Sequence, residues 1–459
     1  MSRLTLHTAN TQGGLSLVGR LRDLLNFLRE RKNLVYLLLI SFTINTGFSS
    51  VSILIPYYIL SLKGVLRELP ELASRVEASE AVVEMGVMTS AFMLVRAPLA
   101  TAFGWLSDEI GRKRLILLGS MIYILTGFLY FFARNWTDLV YIRALQGAAS
   151  AMVWPVAEAL LSESVPREFR GRALALYVSS MNAGVMIGPS LGAFAYKATV
   201  LFGVKEVQEA LRIPFLLIAT FNLVALFSAL PLKEKSLIRG NEASDEREEE
   251  TEEKMGIRSL RRDQRVSLYV MFLNGLINGF AVGIISSVMS VYAIEYVVKD
   301  PLTLGAIMSL SALLGMSASY PAAWLGDKMG RKGIIVLGYV ISRLSIFAIP
   351  LISTPEELFL LMSATHMSFN VSFPLMRALQ ADISPSEIRG RVFGIQQTFF
   401  NTGMILGPII GALIYSRTEE MILPFDIRGV VIPFWISGSL GVFTLYLFAK
   451  FVVEIKDSE

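Results

Sequence analysis

Cysteine is absent from the 459 residues, which excludes disulfides, thiolate zinc sites and thiol nucleophiles but leaves the compartment open, because no redox choice was made. Only two histidines occur, His7 and His366, too few for the usual imidazole metal centre. Charge is scarce too: 17% of residues are Asp, Glu, Lys or Arg, against roughly 25% in an ordinary soluble domain. No Gly-Lys-Ser/Thr phosphate loop, metal-ligand cluster or nucleophile motif is found, so neither an enzyme nor an ATP-driven pump is expected, and neither a cofactor nor a metal. A net charge of +4 gives nucleic-acid binding no support. Residues 1–32 carry no apolar run before a small-residue cleavage site, so a secretory signal peptide is not expected.

What the chain has instead is apolar length, with 53% hydrophobic residues and a mean hydropathy of +0.55. A bilayer core about 30 Å thick takes roughly 20 apolar residues per helix, so a chain of this length holds about twelve. Candidate spans lie near 34–62, 81–107, 114–134, 137–163, 170–198, 211–232, 267–298, 302–326, 333–353, 356–383, 390–416 and 430–452. Basic residues cluster after spans 2, 4, 8 and 10: Arg112, Lys113 and Arg114; Arg167, Arg170 and Arg172; Lys328, Arg331 and Lys332; Arg389 and Arg391. The alternate connections are acidic or mixed, with Glu68, Glu71, Glu77 and Glu80 in the first. The positive-inside rule then places the basic turns and both termini in the cytoplasm.

Five segments follow: 1–33, an N-terminal cytoplasmic segment; 34–232, a six-helix bundle; 233–265, a polar cytoplasmic linker; 266–453, a second bundle; and 454–459, a tail. Leu21, Leu24, Leu25 and Leu28 fall at helical spacing among basic residues, the pattern of a helix lying on the membrane surface or leading into span 1. The linker runs from an acidic block, Glu246 to Glu253, to Arg258, Arg261, Arg262 and Arg265, and its acidic part reads as a disordered hinge.

The two bundles repeat each other at one constant offset, the one that separates Asp108 from Asp327. At that offset Trp105 matches Trp324, and Gly111-Arg112-Lys113 matches Gly330-Arg331-Lys332. Without a gap, Pro155 matches Pro374, Arg170-Gly171-Arg172 matches Arg389-Gly390-Arg391, and Gly184, Gly188, Pro189, Gly192 and Tyr196 match Gly403, Gly407, Pro408, Gly411 and Tyr415. An even span count gives both halves the same orientation, related by an axis along the membrane normal. The fold class is therefore all-α and polytopic, with twelve transmembrane helices in two pseudo-twofold-related six-helix bundles and a substrate site near the midplane between them.

Gly104-Trp105-Leu106-Ser107-Asp108-Glu109-Ile110-Gly111-Arg112-Lys113-Arg114, with its copy at 323–332, resembles the signature loop between spans 2 and 3 of the major facilitator superfamily. It departs at Glu109, where the family pattern usually has a basic residue. Arg143-Ala144-Leu145-Gln146-Gly147 in span 4 is similar to a second motif of that family. The stretch from Gly184 to Ala193 is similar to the span-5 motif of its drug/proton antiporters, repeated here from Gly403 to Ala412. The resemblance implies the major facilitator fold and transport by alternating access. It also implies that Asp108 joins a charge cluster tying the cytoplasmic ends together, with Glu163 and Asp382 as partners for Arg112 and Arg331 and Asp327 as the second copy of Asp108. Arg143 is implied either in the proton step or in holding helices through backbone carbonyls. Physically, Gly184, Gly188, Gly403 and Gly407 admit close helix approach, and Pro189 and Pro408 each remove a backbone hydrogen bond where a helix can bend.

Charges inside spans cost a few kcal/mol or more unless paired or wet. Five such residues occur: Arg96, Arg143, Glu158, Arg343 and Arg377. Glu158 and Arg377 are equivalent in the repeat, and an ion pair between them is expected when the transporter faces outward. Four Arg against one Glu gives a cavity of positive potential, which favours an anionic guest. From the family's path-lining spans 1, 4, 7, 10 and 11 come the cavity candidates Asn45, Tyr57, Tyr58, Trp154, Asn274, Asn278, His366, Phe373 and Gln396. Aromatics among scattered amides suit an amphipathic guest. The expected function is proton-coupled export of hydrophobic or amphipathic small molecules across the plasma (inner) membrane, by a monomer whose partners are the substrate, protons and the lipid bilayer. The alternative is a symporter or uniporter for a sugar or organic anion.

Overall fold

The computed structural model describes residues 31–234, 260–318 and 330–454, with Leu28, Ile257, Pro321, Leu325 and Lys328. The expectations for the basic N-terminal segment, the acidic block of the linker and Asp327 lie outside the described residues.

Helices fill the chain in the order that the apolar runs dictate. Among the described residues ten are long and apolar enough to cross a membrane, an eleventh crossing is the bent pair Lys32–Ser50 and Ile55–Leu62, and Pro301–Ser317 is a shorter apolar helix in eighth position. Numbered in chain order, span 1 is that bent pair, span 2 is Val82–Ile110, span 3 Arg112–Phe132, span 4 Trp136–Ser164, span 5 Arg170–Leu201 and span 6 Val207–Ala229. In the second half span 7 is Arg262–Tyr292 with a π-helical turn Ala293–Val297, span 8 Pro301–Ser317, span 9 Arg331–Ala348, span 10 Pro355–Ile383, span 11 Ser386–Thr418 and span 12 Val431–Phe451. Spans 2 and 3 join at Gly111, whose φ of 98° admits no ordinary side chain, and Gly330 turns the chain into span 9 at φ 93°. The repeat extends to the helix starts: Asn135 and Asp138 form a capping box before span 4, and their repeat equivalents Thr354 and Glu357 form one before span 10.

Within each half the small-residue faces bring backbones together. Span 5 packs on span 1 through Gly184, Gly188 and Gly192, which face Phe42, Ser49 and Ser50; span 11 packs on span 7 through Gly403, Gly407 and Gly411, which face Leu276, Phe280 and Ile284. Ser49 Oγ donates to the Gly184 carbonyl at 3.0 Å, and Ser287 Oγ to the Pro408 carbonyl at 2.9 Å. A Cβ on Gly192 would fall on the Ser50 carbonyl. Gly192→Val is therefore expected to cost about 1–3 kcal/mol through forced separation of the two helices. Gly104→Ala, where nothing lies within 4 Å, is the control and should leave the melting temperature in detergent nearly unchanged.

The halves meet through symmetry-related pairs, span 2 on span 11 and span 5 on span 8. Gly86 abuts Pro408 and Ala412, and its repeat equivalent Gly305 abuts Pro189 and Ala193. Buried apolar residues form three clusters. One, at the face away from the basic turns, draws on both halves, with Tyr57, Tyr58, Met85 and Phe215 from the first and Val288, Tyr292, Leu304 and Phe434 from the second. The other two lie toward the basic face and each belongs to one half, around Leu37, Val153 and Leu160 and around Leu268, Leu379 and Phe448. A shared core at one end and separate cores at the other describe two bundles closed at one face and parted toward the basic one.

Candidate functional site

Between the two separate cores lies an opening whose walls come from both halves. Glu158 of span 4 and Arg377 of span 10 are both exposed there, each inside a helix otherwise long enough to be covered. Glu158 lies within electrostatic reach of the Arg377 and Arg96 guanidinium groups. No ion pair joins Glu158 to Arg377 in this closed-at-one-end form; the Arg377 guanidinium lies 3.5 Å from Gln397 Oε1 and over the rings of Phe373 and Phe393, at 5.3 and 5.5 Å. Nearer the shared core, Arg143 sits 4.6 Å over Phe48 of span 1 and donates to Gln146 Oε1 at 3.2 Å, while Gln146 Nε2 donates to Thr126. Gly147 lets span 4 lie on the backbone of Phe92 and Arg96 of span 2.

The nine cavity candidates scatter. Phe373 is exposed and stacks on Phe369 at 5.5 Å. His366 is half-buried, with its backbone and Cβ against Gly315. Trp154 belongs to the first half's own core. Asn45 donates to the Ser41 carbonyl at 2.8 Å and packs against Gly184. Asn274 and Asn278 bond each other, and Asn278 Oδ1 accepts from the buried Arg343 at 2.5 Å. Gln396 fills the space against Gly275 of span 7. Tyr57 and Tyr58 are fully buried in the shared core, where the Tyr57 hydroxyl donates to the Lys299 carbonyl at 2.9 Å and the Tyr58 hydroxyl to the Tyr130 carbonyl at 3.0 Å. The bend of 43° in span 1 carries them there.

At the basic face the charge clusters among the described residues include one in each half. Arg112 pairs with Glu163 at 2.6 Å and Asp108 at 3.2 Å, and Arg331 pairs with Asp382 at 2.5 Å. Two residues that sequence reasoning missed complete these turns. Glu234, just past span 6, accepts from the Lys113 amide, and Glu454, just past span 12, accepts from the Arg331 amide at 2.5 Å. A carboxylate thus sits on the N-terminus of the third helix in each half, where free N–H groups and the helix dipole favour it. Glu234 and Glu454 stand one position further apart than the repeat offset, so a gap-free comparison of the halves passes over them. Glu234→Ala and Glu454→Ala are each expected to cost about 0.5–1 kcal/mol in detergent melts, adding in the double variant because they cap separate bundles.

The opposite face carries contacts between halves. Arg75, in the loop after span 1, pairs at 2.6 Å with Glu295 in the π-helical turn of span 7, and the Ser79 amide donates to the same carboxylate at 2.7 Å. The Glu295 side chain is 1% exposed. The Glu295 carboxylate raises the affinity of Arg75 for its proton. Glu419, just past span 11, joins the cluster; burial pushes its carboxyl above the usual range, Glu295 and Glu80 add to the rise, and Ser79 and Arg75 oppose it. Lys299 Nζ donates to the Ala73 carbonyl at 2.6 Å.

The family model described as Major Facilitator Superfamily matches residues 37–316 and 271–458. The chain is 26% identical over 339 residues to "Multidrug resistance protein MdtG" of Salmonella schwarzengrund (strain CVM19633), covering 72% of this chain and 78% of the relative. It is also 26% identical over 342 residues to the MdtG of Klebsiella pneumoniae (strain 342), covering 72% and 77%. Among solved structures, a D-xylose-proton symporter aligns with a TM-score of 0.70 at 16% identity over 92% of this chain and 98% of its own. A bacterial homolog of the human lysosomal transporter Spinster, inward-facing and occupied, aligns with a TM-score of 0.69 at 14% identity over 93% and 98%.

Proposed function

The chain belongs to the major facilitator superfamily and is a multi-pass membrane transporter; from that premise we propose that it exports hydrophobic or amphipathic small molecules by proton-coupled alternating access. The observation that carries this reading is the opening itself. The halves share a core at one end and have separate cores toward the basic face, and there Glu158 and its repeat equivalent Arg377 are both exposed, within electrostatic reach of each other. A coupling site needs one group that can carry a proton and whose charge matters to closure. Glu158 has both properties. The multidrug resistance relatives support export as the direction. The basic turns lie in the cytoplasm by the positive-inside rule, which puts the termini there as well and makes this form inward-facing, and the bacterial relatives support the plasma membrane as its location. The unit that works is the monomer, because the path lies between halves of one chain.

A second reading is a symporter or uniporter for a sugar or organic anion, favoured by the excess of guanidinium groups. Proteoliposomes separate the two. With a panel of amphipathic fluorophores of positive, zero and negative charge loaded inside, external acid is expected to accelerate efflux of at least one through an outward-coupled antiporter. Accelerated uptake under the same gradient would select the symporter instead.

A further inference from the structure

We propose that the guest of this opening is an amphipathic anion, with one carboxylate, sulfonate or phosphate headgroup on an apolar, ring-bearing body. The inference rests on the transporter reading above and names the substrate class of the same site.

The charge inventory carries it. Arg96, Arg143 and Arg377 stand along the path against one acid, Glu158, a surplus of two positive charges in a region where each uncompensated charge is costly. The ion pairs found among the described residues lie elsewhere, at the two faces. Aromatic rings take the place of carboxylates: Arg143 rests 4.6 Å over Phe48, Phe48 leans on Phe92 at 5.7 Å, Arg96 lies 6.0 Å from Phe92, and Arg377 rests on Phe373 and Phe393. A ring face steadies the guanidinium plane and leaves its edge to polar partners; one N–H of that edge goes to a glutamine, Gln146 for Arg143 and Gln397 for Arg377, and the remaining donors of the fork can grip a planar anion. Each half therefore offers a guanidinium edge beside ring surface, one in span 4 and one in span 10. The anion's headgroup takes the edge, and its body takes the rings.

Position suits passage. Arg143 is seven residues from the start of span 4, about 10 Å down the helix, and Glu158 is about 22 Å further at 1.5 Å per residue. A headgroup that enters from the basic face meets Arg377 before it reaches Arg143. The same field works against a cationic drug, which would meet three like charges and one carboxylate.

Three ligands sharing one ring system test this: 2-naphthoate, 2-naphthylmethanol and 2-naphthylmethylammonium, titrated onto the full-length protein in phosphatidylcholine nanodiscs so that no anionic lipid competes. The naphthoate is expected to bind at least tenfold more tightly than the ammonium compound. Arg143→Gln and Arg377→Gln should each weaken naphthoate about tenfold while leaving the alcohol within twofold, a pattern that misfolding does not produce, and Arg143→Lys should recover part of the loss. Equal or reversed preference overturns the inference. In proteoliposomes, acid-driven efflux of the ammonium compound but not of naphthoate would overturn the substrate class and leave export standing. Naphthoate binding with uptake in place of efflux would overturn export and leave the substrate class standing. Binding of none of the three overturns both.

Discussion

Glu158→Gln is expected to abolish transport driven by a pH gradient and to raise the inward-facing population about tenfold. The two effects have one cause. Glu158 and Arg377 occupy equivalent places in the two halves, so the swing that closes the cytoplasmic side about the pseudo-twofold axis brings them toward each other. Here, with that side open, they lie within electrostatic reach without forming an ion pair, and Arg377 turns to Gln397. Protonation of Glu158, or its replacement by Gln, removes the attraction that favours closure; a tenfold change corresponds to about 1.4 kcal/mol, modest for a charge pair in a closing cavity. The natural absence of cysteine makes the measurement direct. Gln397→Cys, exposed in the opening, should react faster with an impermeant maleimide from the cytoplasmic side in the Glu158→Gln background. Unchanged labelling would remove the pair from the mechanism, and gradient-driven transport by Glu158→Gln would remove Glu158 from coupling. Swapping the charges, Glu158→Arg with Arg377→Glu, should restore the labelling rate but not the coupling.

The scaffold was legible because its signals are long and repeated: twelve apolar runs, basic turns on one side, and glycines recurring at one offset. Asp108, Arg112 and Glu163 could be gathered from sequence because the loop that bears them is short and its repeat copy fixes the register; the structure places all three in one cluster. Cavity lining was another matter. Tyr57 and Tyr58 lie just after a bend whose signals, Ser49, Ser50 and Ser52 followed by Pro56, stand inside a run that its overall hydropathy presents as one span, and that bend delivers them to the shared core. Helical periodicity tells which residues share a face, not whether that face meets a neighbour helix or the opening. Thus Asn278 is spent on Arg343 and Gln396 on Gly275. Arg75 and Glu295 were invisible for a different reason. They lie far apart in chain order, on opposite halves, and the loop bearing Arg75 reads only as an acidic connection.

Arg75→Ala is expected to loosen the closed face, and Glu419→Gln to remove the dependence of that closure on external pH. Glu295 has almost no solvent contact, so without Arg75 its charge is left to the Ser79 amide. A hydrogen bond to a charged group contributes about 1.5–3 kcal/mol. Arg75 is 57% exposed, so screening reduces the loss to about 1–2 kcal/mol, or roughly 5- to 30-fold in the open population. Val76→Cys, at a position 2% exposed when this face is shut, should label correspondingly faster from outside. Glu419 sets the pH response. Its carboxyl is raised in the closed form by burial, with Glu295 and Glu80 adding to the rise against the pull of Ser79 and Arg75, whereas separation of the halves returns it toward its ordinary range. The closed form therefore holds the proton more tightly. Acidification through the interval between the raised and ordinary values strengthens closure, and alkalinisation through the same interval weakens it until, above the raised value, the effect is lost in full. Glu419→Gln fixes the neutral form, so labelling at position 76 should become both slow and flat across that interval. A slope that survives in Glu419→Gln would assign the response to another group, and faster labelling on acidification of the unaltered chain would reverse the sign of the argument.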